Sequence, residues 1–94
     1  MLGRPFGDFV ISAHARYEME RRGVTEEIVR RIVASPEQRL PERDGRVVLH
    51  SRVEIGSPPT AYLVRVIIDI DRQPARVVTV YRTTKVDKYW RNEP

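Results

Sequence analysis

The chain has 94 residues, with 17 Lys and Arg, 13 Asp and Glu and no cysteine. A chain of this length forms a single domain with a small core, so residues 1–94 are expected to be one domain and a dinucleotide-binding redox fold is excluded. The lack of cysteine excludes disulfides and thiolate metal sites. No run is apolar over the length of a signal peptide or a membrane span, so we expect a cytoplasmic protein without a membrane partner. The net charge of +4 indicates an anionic partner, either nucleic acid or an acidic protein.

Two helices are predicted in the first third of the chain. Ser12 suits an N-terminal cap and Gly23 a left-handed C-terminal cap, and they bound a helix with a narrow apolar stripe. Thr25 caps a second helix, which begins with two carboxylates and ends at Ser35-Pro36. The apolar residues of this second helix share one face, as expected for an amphipathic helix.

After Pro36 the apolar residues alternate, which predicts strands. We expect four of them, at residues 38–42, 47–54, 62–70 and 76–83. Pro41 assigns the first to a sheet edge, because proline cannot donate to a strand ladder. Asp44-Gly45 is a strong hairpin signal, and the other connections are also short, so the sheet is predicted to be an antiparallel meander.

The last segment is predicted to be helical, because Thr84 and Asp87 have the spacing of a capping box and Val86, Tyr89 and Trp90 share a face. The fold class is therefore predicted to be α+β. Two N-terminal helices pack on one face of a four-stranded antiparallel sheet, and a short C-terminal helix follows.

One face of this sheet is not covered by the predicted helices. In the strand 62–70 the more apolar face should meet the helices, which turns Arg65 outward. The neighbouring strands add His50 and Arg52 and, depending on register, either Tyr81 and Thr83 or Arg82. Such a face can bind single-stranded nucleic acid by neutralising phosphates and stacking bases. The alternative is the ordinary solvated face of an antiparallel sheet.

Few residues indicate chemistry. His14 and His50 are far apart in sequence, and no clustered ligand set or glycine-rich phosphate loop is present, so we expect no metal and no cofactor. The run 81–85 combines two kinds of hydroxyl, a guanidinium and an ammonium where a strand leads into a helix N-terminus, a place that favours anions. A strand end with an ordinary N-cap explains Thr84, but it leaves Arg82 and Lys85 unexplained.

The segments 12–16 and 19–25, together with the run 81–90, resemble the two ends of a bacterial family, the domain of unknown function 4258. The turn Asp44-Gly45-Arg46 between them also fits, and the resemblance covers about residues 10 to 91. That family is grouped with RelE- and ParE-like toxins, small α+β domains of which some cut messenger RNA. The resemblance therefore implies a RelE-like fold more firmly than an activity. The motif positions that it maps onto this chain are His14, Arg16, Tyr81, Arg82, Thr83 and Lys85.

Two functions are expected from these observations. The first is a metal-independent endoribonuclease, the toxin of a toxin–antitoxin pair. In it His14 or Tyr81 transfers protons, Arg82 stabilises the phosphate with Arg65 and Lys85, Arg16 adds to substrate binding, and Thr83 positions the substrate. The second is a non-catalytic module whose basic face binds an acidic antitoxin protein or nucleic acid. The sequence leaves the oligomeric state open.

Overall fold

The computed structural model describes residues 8–92. Its elements in chain order are β1 (Phe9–Ile11), α1 (Ala13–Arg22), α2 (Glu26–Ala34), β2 (Gln38–Pro41), β3 (Arg46–Ile55), β4 (Thr60–Asp69), β5 (Ala75–Thr83) and α3 (Val86–Tyr89). The strands form one five-stranded sheet in the order β1-β5-β4-β3-β2. The fold is therefore α+β. No helix within residues 8–92 is long and apolar enough to cross a membrane.

The prediction of four antiparallel strands behind two N-terminal helices was wrong in one respect. A further strand, β1, precedes the helices and pairs in parallel with β5, with Phe9 opposite Ala75, so the sheet is mixed. The other pairs, β2 with β3, β3 with β4 and β4 with β5, are antiparallel as predicted. Sequence periodicity could not reveal β1, because three residues are too few to show alternation.

The two predicted helices form, and their caps are confirmed. Ser12 Oγ accepts a hydrogen bond from the backbone N–H of Ala15 at 3.0 Å, and Gly23 takes a left-handed φ of 68° after α1. Thr25 Oγ1 accepts from the N–H of Ile28 at 3.2 Å. These side chains satisfy N–H groups that have no partner within the first turn of a helix.

Both helices pack on one face of the sheet, which we call the helix face. Val64, Val66 and Ile68 of β4 lie there, as predicted from the alternation. They belong to a single apolar core with both helices and the neighbouring strands, whose other buried members are Ala15, Met19, Val24, Val29, Ile32, Val33, Val47, Leu49, Ala75, Val77 and Val80. The opposite face is called the open face.

A bulge in β5 decides which of its side chains reach the open face. Ile67 pairs with Thr79 whereas Ile68 pairs with Val77, so one extra residue of β5 is inserted between them. Val77 and Val80 are consequently both in the core, although strict alternation would separate them. Beyond the bulge, Tyr81 pairs with Arg65 and therefore lies on the open face.

The start of α3 differs from the prediction. The capping box of Thr84 with Asp87 does not form: Lys85 occupies the N-cap position and makes no side-chain capping bond. Thr83 instead accepts a hydrogen bond from the N–H of Lys85 through Oγ1, at 3.0 Å. This short turn directs the chain back over the open face.

Candidate functional site

Four polar side chains form a row across the open face. Gln38 of β2 lies opposite His50 of β3, His50 lies opposite Arg65 of β4, and Arg65 lies opposite Tyr81 of β5. Directly opposed residues of antiparallel strands point to the same face and are close enough to interact. We call these four residues the polar row.

The polar row is a continuous chain of hydrogen bonds. Arg65 donates from Nε to His50 Nδ1 at 3.2 Å and from Nη1 to the Tyr81 hydroxyl at 2.6 Å. An arginine can only donate, so His50 Nδ1 must be the acceptor and the ring proton lies on Nε2. That proton is donated to Gln38 Oε1, 2.8 Å away. The contacts thus assign one tautomer to His50.

His50 is fully buried, with 0 % of its surface exposed. The Trp90 ring stacks on the imidazole, with 5.6 Å between centroids and 16° between planes. Burial, reinforced by the positive charge of Arg65, lowers the pKa of His50 to about 4. His50 is therefore neutral at physiological pH and has no access to an outside ligand.

Residues 89–91 cover the polar row, and we call them the C-terminal strap. The Tyr89 ring lies over the Arg65 guanidinium at 4.3 Å, and the Arg52 guanidinium stacks on Trp90 at 4.2 Å. The Gln38 side chain makes two hydrogen bonds with the strap backbone. It donates from Nε2 to the carbonyl of Arg91 at 2.7 Å and accepts from the N–H of Arg91 at 3.1 Å.

A groove of about 470 Å³ lies beside the polar row on the open face. Leu40, Val48 and Ile67, which are opposed residues of β2, β3 and β4, form an apolar strip in it. Around this strip the groove is lined by three cations, two tyrosines, a carboxylate and a proline: Arg65, Lys88, Arg91, Tyr81, Tyr89, Glu42 and Pro41. We call this the basic groove. Its charged residues carry a net charge of +2, out of +4 for the whole chain.

Tyr81 contributes its hydroxyl to the basic groove. Burial raises the pKa of this phenol, and the adjacent Arg65 offsets part of that effect, while Tyr89 raises the pKa further. The phenol therefore remains protonated at neutral pH. In this state Tyr81 can donate a proton, but it is not a base.

The predicted site residues divide between the two faces of the sheet. Arg65 and Tyr81 come together in the basic groove. Thr83 is opposite Leu63 on the open face, but its hydroxyl already accepts the N–H of Lys85. Lys85 is exposed in the turn before α3 and is not among the groove-lining residues.

The other predicted residues lie on the helix side. His14 and Arg16 are exposed on α1, and Arg16 forms an ion pair with Glu26 at 3.0 Å. Arg82 is opposite Val64 and stacks on the Tyr62 ring at 4.2 Å, so it lies across the sheet from Tyr81. The expected convergence of Arg82 with Arg65 does not occur, because Arg82 follows Tyr81 in β5 and neighbouring residues of a strand point to opposite faces.

Sequence reasoning missed His50 and Gln38 as site residues. A signal for both existed: counting outward from the Asp44-Gly45 hairpin brings Gln38 opposite His50, and His50 had been assigned to the open face. The strap carried no comparable signal, because its contacts depend on the direction in which the chain turns after β5.

Comparison with known proteins identifies a family but no function. A family model described as "Domain of unknown function (DUF4258)" matches residues 11–82, from the end of β1 to β5. All four members of the polar row lie within the match, and the strap lies beyond it. No curated protein and no solved structure matches the chain. In the described part of the chain, no three His, Asp or Glu side chains are grouped so that they could hold a metal ion.

Proposed function

Because the chain belongs to the DUF4258 family, whose description assigns no activity, we propose a function from its own groove: binding and metal-independent cleavage of single-stranded RNA. In this proposal the protein is a RelE-like toxin of a toxin–antitoxin pair, acting in a bacterial cytoplasm. The observation that carries the proposal is the convergence of three cations and two tyrosines on one groove of the open face.

RNA binding is supported by the two kinds of surface in the basic groove. The side chains of Arg65, Lys88 and Arg91 supply positive charge for the phosphates. Leu40 and Ile67 of the apolar strip are half-buried and offer apolar surface on which unstacked bases can rest. A double helix could not present its bases in this way, so the proposed ligand is single-stranded.

The chemistry proposed is attack of a ribose 2′-hydroxyl on the adjacent phosphorus. A new bond forms between the 2′-oxygen and phosphorus, and the bond from phosphorus to the 5′-oxygen breaks, leaving a 2′,3′-cyclic phosphate and a 5′-hydroxyl end. Tyr81 gives its proton to the leaving 5′-oxygen, and the Arg65 charge beside it stabilises the phosphorane oxygens. Solvent water takes the 2′-hydroxyl proton, because the carboxylate of the groove, Glu42, lies past the end of β2 and three strands away from Tyr81. A proton returned from solvent to the Tyr81 phenolate restores the protein.

The test is cleavage of single-stranded RNA by the purified protein in excess EDTA. Tyr81→Phe removes the proton donor and is expected to lower the rate by about 100-fold or more. His14→Ala and Arg82→Ala, both on the helix side, are the matched controls and should retain the wild-type rate. A wild-type protein that leaves RNA intact, or a Tyr81→Phe protein as fast as wild type, contradicts the proposal.

The toxin assignment has a separate test in cells. Expression of the chain should arrest growth, and co-expression of a small acidic protein encoded beside it should relieve the arrest. Growth at the normal rate despite accumulation of folded protein contradicts the toxin assignment, whatever the result in the test tube.

A second candidate function is non-catalytic binding of an acidic protein or nucleic acid. It is favoured by the polar row, in which both ring nitrogens of His50 are engaged and no histidine base reaches the groove. This function predicts salt-sensitive binding without cleavage, tolerance of Tyr81→Phe and weakening by Lys88→Ala. Calorimetric titration with single-stranded RNA or an acidic partner at low and high salt measures each of these. Affinity that does not change with salt would exclude electrostatic docking.

A further inference from the structure

We infer that His50 is a positioning residue: it fixes the Arg65 guanidinium so that Nη1 faces the Tyr81 hydroxyl in the basic groove. The importance of this arrangement for RNA cleavage rests on the function proposed above. The arrangement itself is a property of the folded protein, and it can be tested without any ligand.

The first step of the argument is the geometry of Arg65. An arginine side chain has several rotatable bonds and loses about 2 kcal/mol of rotamer entropy when it is fixed. Arg65 is held at Nε by His50 at 3.2 Å and at Nη1 by Tyr81 at 2.6 Å, with the Tyr89 ring 4.3 Å above it. Because two separate nitrogens are engaged, the plane of the guanidinium is fixed as well as its position. Without the acceptor on His50, only the Tyr81 end would remain bonded.

The second step is that His50 is itself held by the elements around it. Gln38 accepts its Nε2–H and is bonded to the strap backbone, and Trp90 covers the ring. This leaves Nδ1 as an acceptor directed at Arg65 Nε. A proton on Nδ1 would place two donors against each other, so the contact requires the neutral ring. The other charged side chain that influences the ring is Glu37 before β2, and Arg52 of the same strand stacks on Trp90.

The third step concerns the choice of a polar residue here. A buried imidazole needs partners for both nitrogens, because an unpaired buried polar atom costs about 1–3 kcal/mol. An apolar residue of similar size would fill the same space without that requirement. No buried side-chain nitrogen or oxygen lacks a partner within residues 8–92. A fully satisfied polar residue on the strand beside a groove cation orients that cation, which an apolar residue could not do.

A matched pair of variants tests the inference. His50→Asn places a carbonyl oxygen near the position of Nδ1 and keeps the acceptor for Arg65. His50→Gln places its amide near the position of Nε2, which keeps the bond to Gln38 but loses the acceptor for Arg65. Both variants remove the ring under Trp90 and the titratable group, so any difference between them reports the acceptor.

The readout is the ionisation of Tyr81, followed by phenolate absorbance and isolated by subtraction of Tyr81→Phe versions of each protein. Arg65 lowers the pKa of Tyr81 through its charge and its hydrogen bond. We therefore expect His50→Asn to titrate close to wild type and His50→Gln to titrate at higher pH. The Arg65 Nε–H resonance should be protected from exchange in wild type and His50→Asn, and lost in His50→Gln.

The possible results separate the inference from the proposed function. Coincident Tyr81 titrations in all three proteins, or equal shifts in both variants, overturn the positioning role. Should either variant fail to fold, the nitrogen chemical shifts of His50 in the wild-type protein decide: a protonated Nδ1 overturns the inference, and an unprotonated one supports it. Failure of the wild type to cleave RNA contradicts the proposed function alone. If cleavage occurs, the rate should fall about tenfold further in His50→Gln than in His50→Asn, since tenfold corresponds to about 1.4 kcal/mol.

Discussion

Acidification should destabilise the wild-type protein more than a His50→Asn variant. The histidine is buried as the neutral ring, and its pKa in the folded state is about 4, below the ordinary 6.5. Between these two values the unfolded chain binds a proton that the folded protein excludes. The stabilisation is therefore complete above about pH 6.5 and is lost as the pH falls toward about 4.

The size of this effect follows from the difference between the two pKa values, which is about 2.5. Each unit of pKa corresponds to about 1.4 kcal/mol, so up to about 3 kcal/mol of unfolding free energy is lost between neutral pH and about pH 4. A domain of this kind is stable by only about 5–15 kcal/mol in total. The loss is thus a large share of the stability of the fold.

Urea unfolding followed by far-ultraviolet circular dichroism, at several pH values from neutral to about 4, measures the effect. Glu18, Glu26 and Glu37 also lose stabilisation in acid, because arginine hydrogen bonds lower the pKa of each carboxyl. Glu18 and Glu26 have the same surroundings in both proteins, so their contribution cancels in the difference. The contribution of Glu37 cancels in the main, because the charge of His50 is the smallest cause of its lowered pKa. His14→Asn, which removes the exposed histidine of α1, is the matched control. It should stay close to the wild type, because the charge of His14 is the smallest cause of the lowered pKa of Glu18. A gap between wild type and His50→Asn that stays constant with pH would refute this reasoning.

Three further predictions concern the strap, the groove and a turn. Trp90→Ala uncovers the buried His50 and should lower the unfolding free energy by about 1–3 kcal/mol in urea titrations. The control Tyr17→Ala, at a residue 61 % exposed, should change that free energy by less than about 0.5 kcal/mol. Lys88→Ala should reduce the slope of log affinity for single-stranded RNA against log salt by about 0.7, and Arg31→Ala on α2 should leave that slope unchanged. Gly45→Ala should cost about 1–2 kcal/mol in thermal unfolding, because Gly45 has a φ of 73° and an added Cβ would overlap the Asp71 carboxylate. Equal losses of unfolding free energy in Trp90→Ala and Tyr17→Ala would contradict the first prediction, and equal salt slopes in Lys88→Ala and Arg31→Ala the second. An unchanged melting temperature for Gly45→Ala would contradict the third.

Local signals predicted most of the fold. The caps Ser12 and Thr25 bond the N–H groups that their positions suggested, because capping depends only on residues three apart. The strand ladder from β2 to β5 also followed from alternation and short turns. β1 could not be predicted in this way. Phe, Val and Ile favour strands, but three residues are too few to show alternation and their partner in β5 is distant along the chain.

The candidate site was less predictable than the fold. Arg65 and Tyr81 were predicted site residues and do meet, but the bulge in β5 decides which of Tyr81 and Arg82 reaches the open face. Alternation alone left both registers open. His50 was known only as one polar residue of an exposed face, and the strap that buries it is specified by tertiary contacts with no periodic trace in the sequence.

The position of β5 between β1 and β4 affects the order in which this sheet can assemble. During synthesis β1 emerges long before β5, so its backbone groups stay unpaired until their partners, 66 residues later in the chain, have been made. The meander from β2 to β4 can grow by adding hairpins at its edge, but β5 has to join two partners from opposite sides. Folding should therefore be limited by this long-range closure, and the nascent meander exposes an unpaired β4 edge until it occurs.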